Sequence, residues 1–539
     1  MRARATLVFV PLVLALAGCP GPGAGKGIQR VDQSSLVEVI TADDAKILDP
    51  HSTSDGGNVK LINQLYQTLL RVDPADTSKL VGELATEWKV AEDGQQIVFS
   101  LREGVTFHDG AKLDAAAVKL SLDRLREEGF ELRTSPYGFM FNEISEMIAE
   151  GNTLTMKLSA PVAPVLLKNL SMFSASIVSP KLIEATKGMK PEEAETHVTK
   201  NAAGTGPYRL DAFDPAAGVK RLKAFAGYWG GQPKIETLVF KTVADETTRR
   251  EYLTKAKGVV FVDDVPRQDW EAVDQSEAMT LQSWWSPNVC YLGVSATHEN
   301  TNDLELRQAL ALAVERSKVI EHYEGTARPT FSLVAQPMAE YDPELRCAGW
   351  DDDRAKRLEA AQALVKEAGA EGRALTIYYP QQPRPYLPKP AEIADTLRQQ
   401  LLELGLKVEI QGVDKNVLFP GIETGNYEMV LIGWTTDNGD PDNFYSPLAD
   451  GSEGKPAASN VSRVSDPKLH ELIVGARAIA DPAKRTAAYR AIERRLQAEV
   501  AGYVPLVNTK TAVAYSKQLT GVVVDKLSHY RFHEATISK

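Results

Sequence analysis

Cysteine and histidine are scarce in this chain, with three of one and eight of the other in 539 residues. No Cys/His cluster stands at metal-ligand spacing, which argues against a structural zinc module. Positive charge is not in excess either. The 61 Lys and Arg are outnumbered by 72 Asp and Glu, for a net charge of −11. Such a balance gives no support to nucleic-acid binding, whose electrostatic footprint is a basic face. A Gly-x-Ser-x-Gly nucleophile elbow is missing. "HELIV" at His470 lacks the second His of a zinc-protease helix. Beyond the N-terminus no long apolar run and no repeat occurs. What remains is 43% hydrophobic and 25% charged, a globular composition long enough for two to four domains with large cores.

The N-terminus reads as a targeting segment. Arg2 and Arg4 precede an apolar stretch from Leu7 to Ala17, too short to span a bilayer, which takes about 20 residues, but suited to a signal-peptide core. It closes in Leu16-Ala17-Gly18-Cys19, the pattern at which bacterial lipoproteins are cleaved and lipidated. Residues 1–18 are therefore expected to be a signal peptide and Cys19 the lipidation site. Residues 19–35 follow as a flexible tether rich in Gly. "GPGAGKG" within it is no phosphate loop, because Gly27 follows Lys26 where Ser or Thr is needed. Cys290 and Cys347 remain. An exported protein can bridge such a pair, but Cys290 lies in apolar "NVCYLGV" and reads as a buried free thiol.

Apolar residues recur at helical spacing in several places: Leu306, Leu310, Ala313 and Val314; Leu358, Ala361, Leu364, Val365 and Ala368; Ile393, Leu397, Leu401 and Leu404; Tyr489, Ile492, Leu496 and Val500. These are core faces. "VFSLREGVTFHDG" and "LTMKLSAPVAPV" read as strands with turns, and "AAAVKLSLDRLREE" as a helix. From Ala374 to Trp434 the pattern is β-α-β-α-β, which predicts parallel strands with right-handed crossovers. Ligands of such sheets bind beyond the strands' carboxyl ends. Two loops leave that edge. "PQQPRPYLPKP", a rigid proline-rich loop, carries Arg384. "TTDNGDPDNF" carries Asp437, Asp440 and Asp442. A cation and an anion on one rim suit a ligand with both charges; a direct Arg384–Asp437 ion pair is the plainer alternative.

Several stretches carry a family resemblance. They are "LATEWKVAEDGQQIVFSLREGVTFHDGAKLDAAAVKLSLDRL", "GTGPYRL" with "GYWGGQPKIETLVFK", and "LRQALALAVERSKVI". From Val37 to Ile537 the chain resembles the solute-binding proteins of bacterial ABC transporters for peptides and nickel. "PRPY", "GWTTDNGDPDNF" and the tail "VVVDKLSHYRFHEATI" are most similar to the dipeptide-binding members.

The resemblance implies an α/β, two-lobed periplasmic binding protein fold. Lobe one would take 36–290 and 511–539, with an extra subdomain inserted at about 53–200, and lobe two 291–510. It implies Asp437 as counter-ion for a ligand's α-ammonium and Arg384 for its α-carboxylate. Trp434 would wall a side-chain pocket, and Thr53 and Ser54 would touch the ligand backbone. The family's usual glycine is replaced by Asp55. Asp440, Asp442 and Asn443 would fix the turn through backbone N–H bonds. The expected partners are a dipeptide or small peptide, ABC permease subunits and a membrane reached through the lipid anchor. The expected molecule is a monomer on the periplasmic or cell-surface side, without metal or cofactor, and not an enzyme. Haem, glutathione, a nickel chelate or a longer peptide are alternative ligands on the same fold, and a secreted hydrolase is the alternative class.

Overall fold

The computed structural model describes residues 33–126, 136–452, 455–457 and 459–538. The expected signal peptide, Cys19 and most of the tether lie outside them.

Twelve strands form one sheet. On one side stand Lys407–Val413, Ala374–Pro380, Met429–Thr435 and Asn288–Val294. On the other stand Val259–Asp263, Leu36–Thr41, Thr237–Thr242, Val219–Ala224 and Tyr208–Asp214. Between them runs the 14-residue strand Tyr503–Ser516. Its first part pairs with Asn288–Val294 and Ala327–Pro329, its second with Val259–Asp263 and Met279–Trp285. The chain crosses a second time where Met279–Trp285 continues through Ser286 and Pro287 into Asn288–Val294. Two strand crossings thus join two lobes.

The β-α-β-α-β expectation holds. Ala374–Pro380 is parallel to Lys407–Val413 on one side and to Met429–Thr435 on the other. Every residue of Asn288–Val294 and of Val259–Asp263 is buried, as strands covered on both faces require. Aspartates start many of the helices. Asp55, Asp114, Asp353, Asp414, Asp466 and Asp481 each accept a backbone N–H in the first turn, which satisfies donors that a helix start leaves free.

Between Leu36–Thr41 and Tyr208–Asp214 the chain forms a four-stranded antiparallel sheet of Ala85–Val90, Gln96–Leu101, Thr153–Leu158 and Ile144–Glu150. Its core residues, such as Phe99 and Leu154, belong to one apolar cluster with Val37 and Phe240 of the large sheet. The insertion therefore shares the core of lobe one. The second lobe has its own cluster, from Val289 to Val507.

Two expectations are corrected. "LTMKLSAPVAPV" is a strand only through Leu158, and Ala163–Asn169 is a helix. Pro164 falls in its first turn, where no N–H is needed and the fixed φ fits. The face drawn from Leu306 to Val314 does not lie on one unbroken helix. Leu304–Ala313 ends before the extended Val314 and Glu315, and Arg316–Ile320 begins anew. The break serves Arg316. Its buried Nε donates to the Thr330 and Pro505 carbonyls at 2.8 Å, and its guanidinium lies 3.8 Å from the Phe331 ring centre. Cys290 and Cys347 are both free and buried, and burial pushes the Cys290 thiol up to about 12.

Candidate functional site

The acid-rich loop leaves the carboxyl end of Met429–Thr435. Its shape comes from its own side chains. Asn438 Oδ1 accepts from Asp440 N at 2.9 Å, and Asp440 Oδ1 accepts from Asp442 N at 2.9 Å. Asn443 Oδ1 accepts from Asp437 N at 3.0 Å. Arg485 clamps both oxygens of Asp440, at 2.8 and 2.9 Å, a bidentate pair of fixed geometry. Asp440 and Asn443 therefore fix the turn as expected. Asp442 does so differently, by accepting from the Ser446 and Tyr489 hydroxyls at 2.8 and 3.3 Å.

Asp437 is the acid the turn does not consume. Its Oδ2 accepts from the Tyr137 hydroxyl of lobe one at 3.2 Å. Burial pushes its carboxyl up to about 6, partly opposed by nearby His529 and by hydrogen bonds from Tyr137 and Asn443. Among the described residues no Lys or Arg forms an ion pair with it. Tyr137 packs edge-on against Phe173, ring centres 5.6 Å apart.

Arg384 stands at the other loop, where Arg384 and Leu387 exchange backbone bonds of 2.9 and 2.8 Å across a tight reversal. Its Nε is buried without a hydrogen-bond partner. Burial works against its charge, but Tyr386, Asp43 and Asp55 outweigh burial and raise its pKa. Tyr386 also locks the two loops together. Its ring rests on Gly433, where a Cβ would come within 2.5 Å of Cδ2. Arg384 and Asp437 do not pair with each other, and among the described residues neither is in an ion pair, although Arg384 shares a hydrogen bond with the Tyr386 side chain and only its Nε lacks a partner.

The other expected residues are less uniform. Trp434 is half-buried against the second core, and its Nε1 donates to Asn443 at 3.3 Å. Thr53 is buried and its hydroxyl is occupied, accepting from Asn58 Nδ2 at 2.7 Å and Asp55 N at 3.2 Å. Ser54 is exposed. Asp55 caps Gly56–Leu65 and forms a 2.9 Å ion pair with Lys415 of the opposite lobe. Tyr137 and Lys415 escaped the sequence reading because their partners lie 300 and 360 positions away. No local signal marks them.

Further contacts close the lobes. Asn438 Nδ2 donates to Asn169 at 3.1 Å, Arg477 pairs with Glu143 at 2.7 Å, and Gly439 lies against the Thr77 carbonyl. Among the described residues no group of three or more His, Cys, Asp or Glu is placed to hold a metal, and no helix is long and apolar enough to cross a membrane.

Two lobes on two strand crossings, with opposite half-buried charges where they meet, define a binding protein of the two-lobed periplasmic type. The chain belongs to the bacterial extracellular solute-binding proteins, family 5, whose middle-region model matches residues 79–456. It is similar to the dipeptide-binding protein of Escherichia coli K12, at 29% identity over 504 residues, covering 90% of each chain. It is also similar to the glutathione-binding protein GsiB of Shigella dysenteriae serotype 1, at 26% identity over 513 residues, covering 93% of this chain and 94% of that one. The crystal structure of a dipeptide-binding protein from Pseudoalteromonas sp. SM9913 with Met-Leu superposes with a TM-score of 0.82 at 22% identity. The match covers 93% of this chain and all of that one. That likeness establishes the fold.

Proposed function

We propose that this protein captures dipeptides or similar small zwitterionic peptides between its lobes and delivers them to an ABC importer. The observation that carries the reading is a pair of opposite charges on one rim, neither of them in an ion pair among the described residues. Asp437 has its carboxyl lifted to about 6, and Arg384 keeps a buried Nε without a partner. An α-ammonium at Asp437 and an α-carboxylate at Arg384 would satisfy both, and charge-assisted hydrogen bonds are strong where water is excluded. Trp434 bounds the space beside Asp437, and the Thr53–Ser54 backbone supplies polar groups from lobe one. The lobe boundaries follow the strand crossings, at about 290 and 510. Cys19 carries the lipid that holds a monomeric receptor to the membrane. Mass spectrometry of wild-type and Cys19→Ser membranes checks this, with loss of the lipidated N-terminus expected in the variant and unlipidated wild-type protein as the contrary result.

Incubation with a dipeptide pool, followed by mass spectrometry of what co-purifies, tests the main reading. Intact dipeptides are expected. Cleaved products would indicate a hydrolase, and enrichment of glutathione alone would move the ligand to that of the second relative.

A further inference from the structure

The rim loop of Arg384 is not the only cationic element at its end of the cleft. Ala374–Pro380, which feeds that loop, lies parallel to Lys407–Val413 with Pro380 opposite Val413. Lys415 begins the helix immediately after that strand. The two loops are tied together by Gln382, whose Nε2 donates to Asp414 Oδ2 at 2.9 Å and whose Oε1 accepts from Lys415 N at 3.4 Å. Arg384 and Lys415 are thus presented side by side from lobe two.

Lobe one answers with Asp55. Its Oδ1 caps Gly56–Leu65 by accepting from Gly57 N at 2.9 Å, and its Oδ2 accepts from Lys415 Nζ at 2.9 Å. Burial would raise the Asp55 carboxyl, but Lys415 and then Arg384 outweigh it and hold it below the usual range. The carboxylate therefore stands within electrostatic reach of both cations. Asp43, on the segment after Leu36–Thr41, adds a second negative charge facing Arg384 and is shared with Lys60. Of these two cations Lys415 is spent on Asp55, while Arg384 is in no ion pair among the described residues and stands in a setting that already holds acid.

We propose that Asp55, through its bridge to Lys415, sets the charge specificity of the ligand's carboxyl end: the site accepts a single carboxylate there and disfavours a C-terminal residue with a second one. This rests on the peptide reading above. A C-terminal Glu or Asp would bring its side-chain carboxylate towards Asp55 and Asp43 while Lys415, the nearest cation to Asp55, is already paired. Removing the Asp55 charge releases Lys415 as that cation.

The test compares Ala-Gln with Ala-Glu, near-isosteric peptides that differ by one charge, by titration calorimetry on wild type, Asp55→Asn and Lys415→Met. Asn is as good a helix cap as Asp, so the first variant removes charge while keeping the helix start. Wild type is expected to prefer Ala-Gln. In Asp55→Asn that preference should shift by about tenfold towards Ala-Glu, and Lys415→Met should shift it the other way. Both ion-pair side chains are about a quarter exposed, so raising the salt concentration should shrink the shift. An affinity ratio unchanged between wild type and Asp55→Asn would overturn this proposal while leaving the peptide reading intact. Failure of wild type to bind either peptide would overturn both.

Discussion

Asp437 and Arg384 carry the argument at the scale of single residues, and Asp437 gives it a pH signature. In the protein without ligand, burial lifts its carboxyl to about 6. A bound ammonium favours the ionised form, so binding must release a proton at pH values below that. Affinity is then full above about 6 and lost as the pH falls through it. Between pH 7 and pH 5, dipeptide affinity should drop about tenfold, while Asp437→Asn should bind weakly with a flat profile. Calorimetry in two buffers of different ionisation enthalpy reads both the affinity and the proton release; a flat wild-type profile would count against the ammonium assignment. These two residues were legible in the sequence because each sits in a local pattern, a strand end followed by a loop of unusual composition. Which of the three acids stays free came from the family resemblance and not from the local pattern. That depends on Arg485 claiming Asp440 and on Ser446 and Tyr489 holding Asp442, contacts made by side chains up to 47 positions apart.

At the scale of elements, parallel pairing of Ala374–Pro380 with Met429–Thr435 puts both loops on one edge, and Tyr386 over Gly433 sets their spacing. A methyl group at 433 would meet the Val289 carbonyl at 2.2 Å and the Tyr386 ring at 2.5 Å. Neither neighbour is free to retreat, since one is strand backbone and the other a buried ring. Gly433→Ala should cost at least about 1–3 kcal/mol of stability by overpacking and should also weaken the dipeptide by moving the Arg384 loop. Urea unfolding paired with calorimetry checks this. A stable variant with wild-type affinity would show that the Tyr386 contact does not position the site. The strand-helix alternation of this region was readable from hydrophobic period alone. The break at Val314 and Glu315 was not, because a buried Arg316 bonding carbonyls up to 189 positions away overrides local helix preference.

At the scale of the whole molecule, the acid loop is also the surface on which the lobes close. It meets Tyr137, Asn169 and Thr77 of lobe one, and the Glu143–Arg477 pair stands at its flank with both side chains less than a quarter exposed. Closure and ligand capture share one free-energy balance, because a ligand that binds the closed form better shifts the population towards it. Glu143→Gln should weaken dipeptide binding about two- to fivefold, within the range of a partly exposed ion pair, mainly through faster release, and small-angle scattering should show a larger radius of gyration. Unchanged affinity and radius would remove this pair from the closing contacts. The architecture was legible through the family resemblance. The shared core of the inserted sheet and lobe one was not, since it gathers residues as distant in sequence as Phe99 and Phe240 that no local pattern connects.

The central claim is that opposite charges at the two ends of one rim recognise the two ends of a short peptide. It is tested most directly by calorimetry of wild-type protein with Ala-Ala, N-acetyl-Ala-Ala and Ala-Ala-amide. Each cap removes one ligand charge and leaves its protein partner unpaired in the closed cleft, a loss of about 2–5 kcal/mol, or roughly 30-fold to several thousand-fold in affinity. The account predicts that both caps weaken binding by at least about 30-fold. Capped peptides that bind as tightly as Ala-Ala would contradict it.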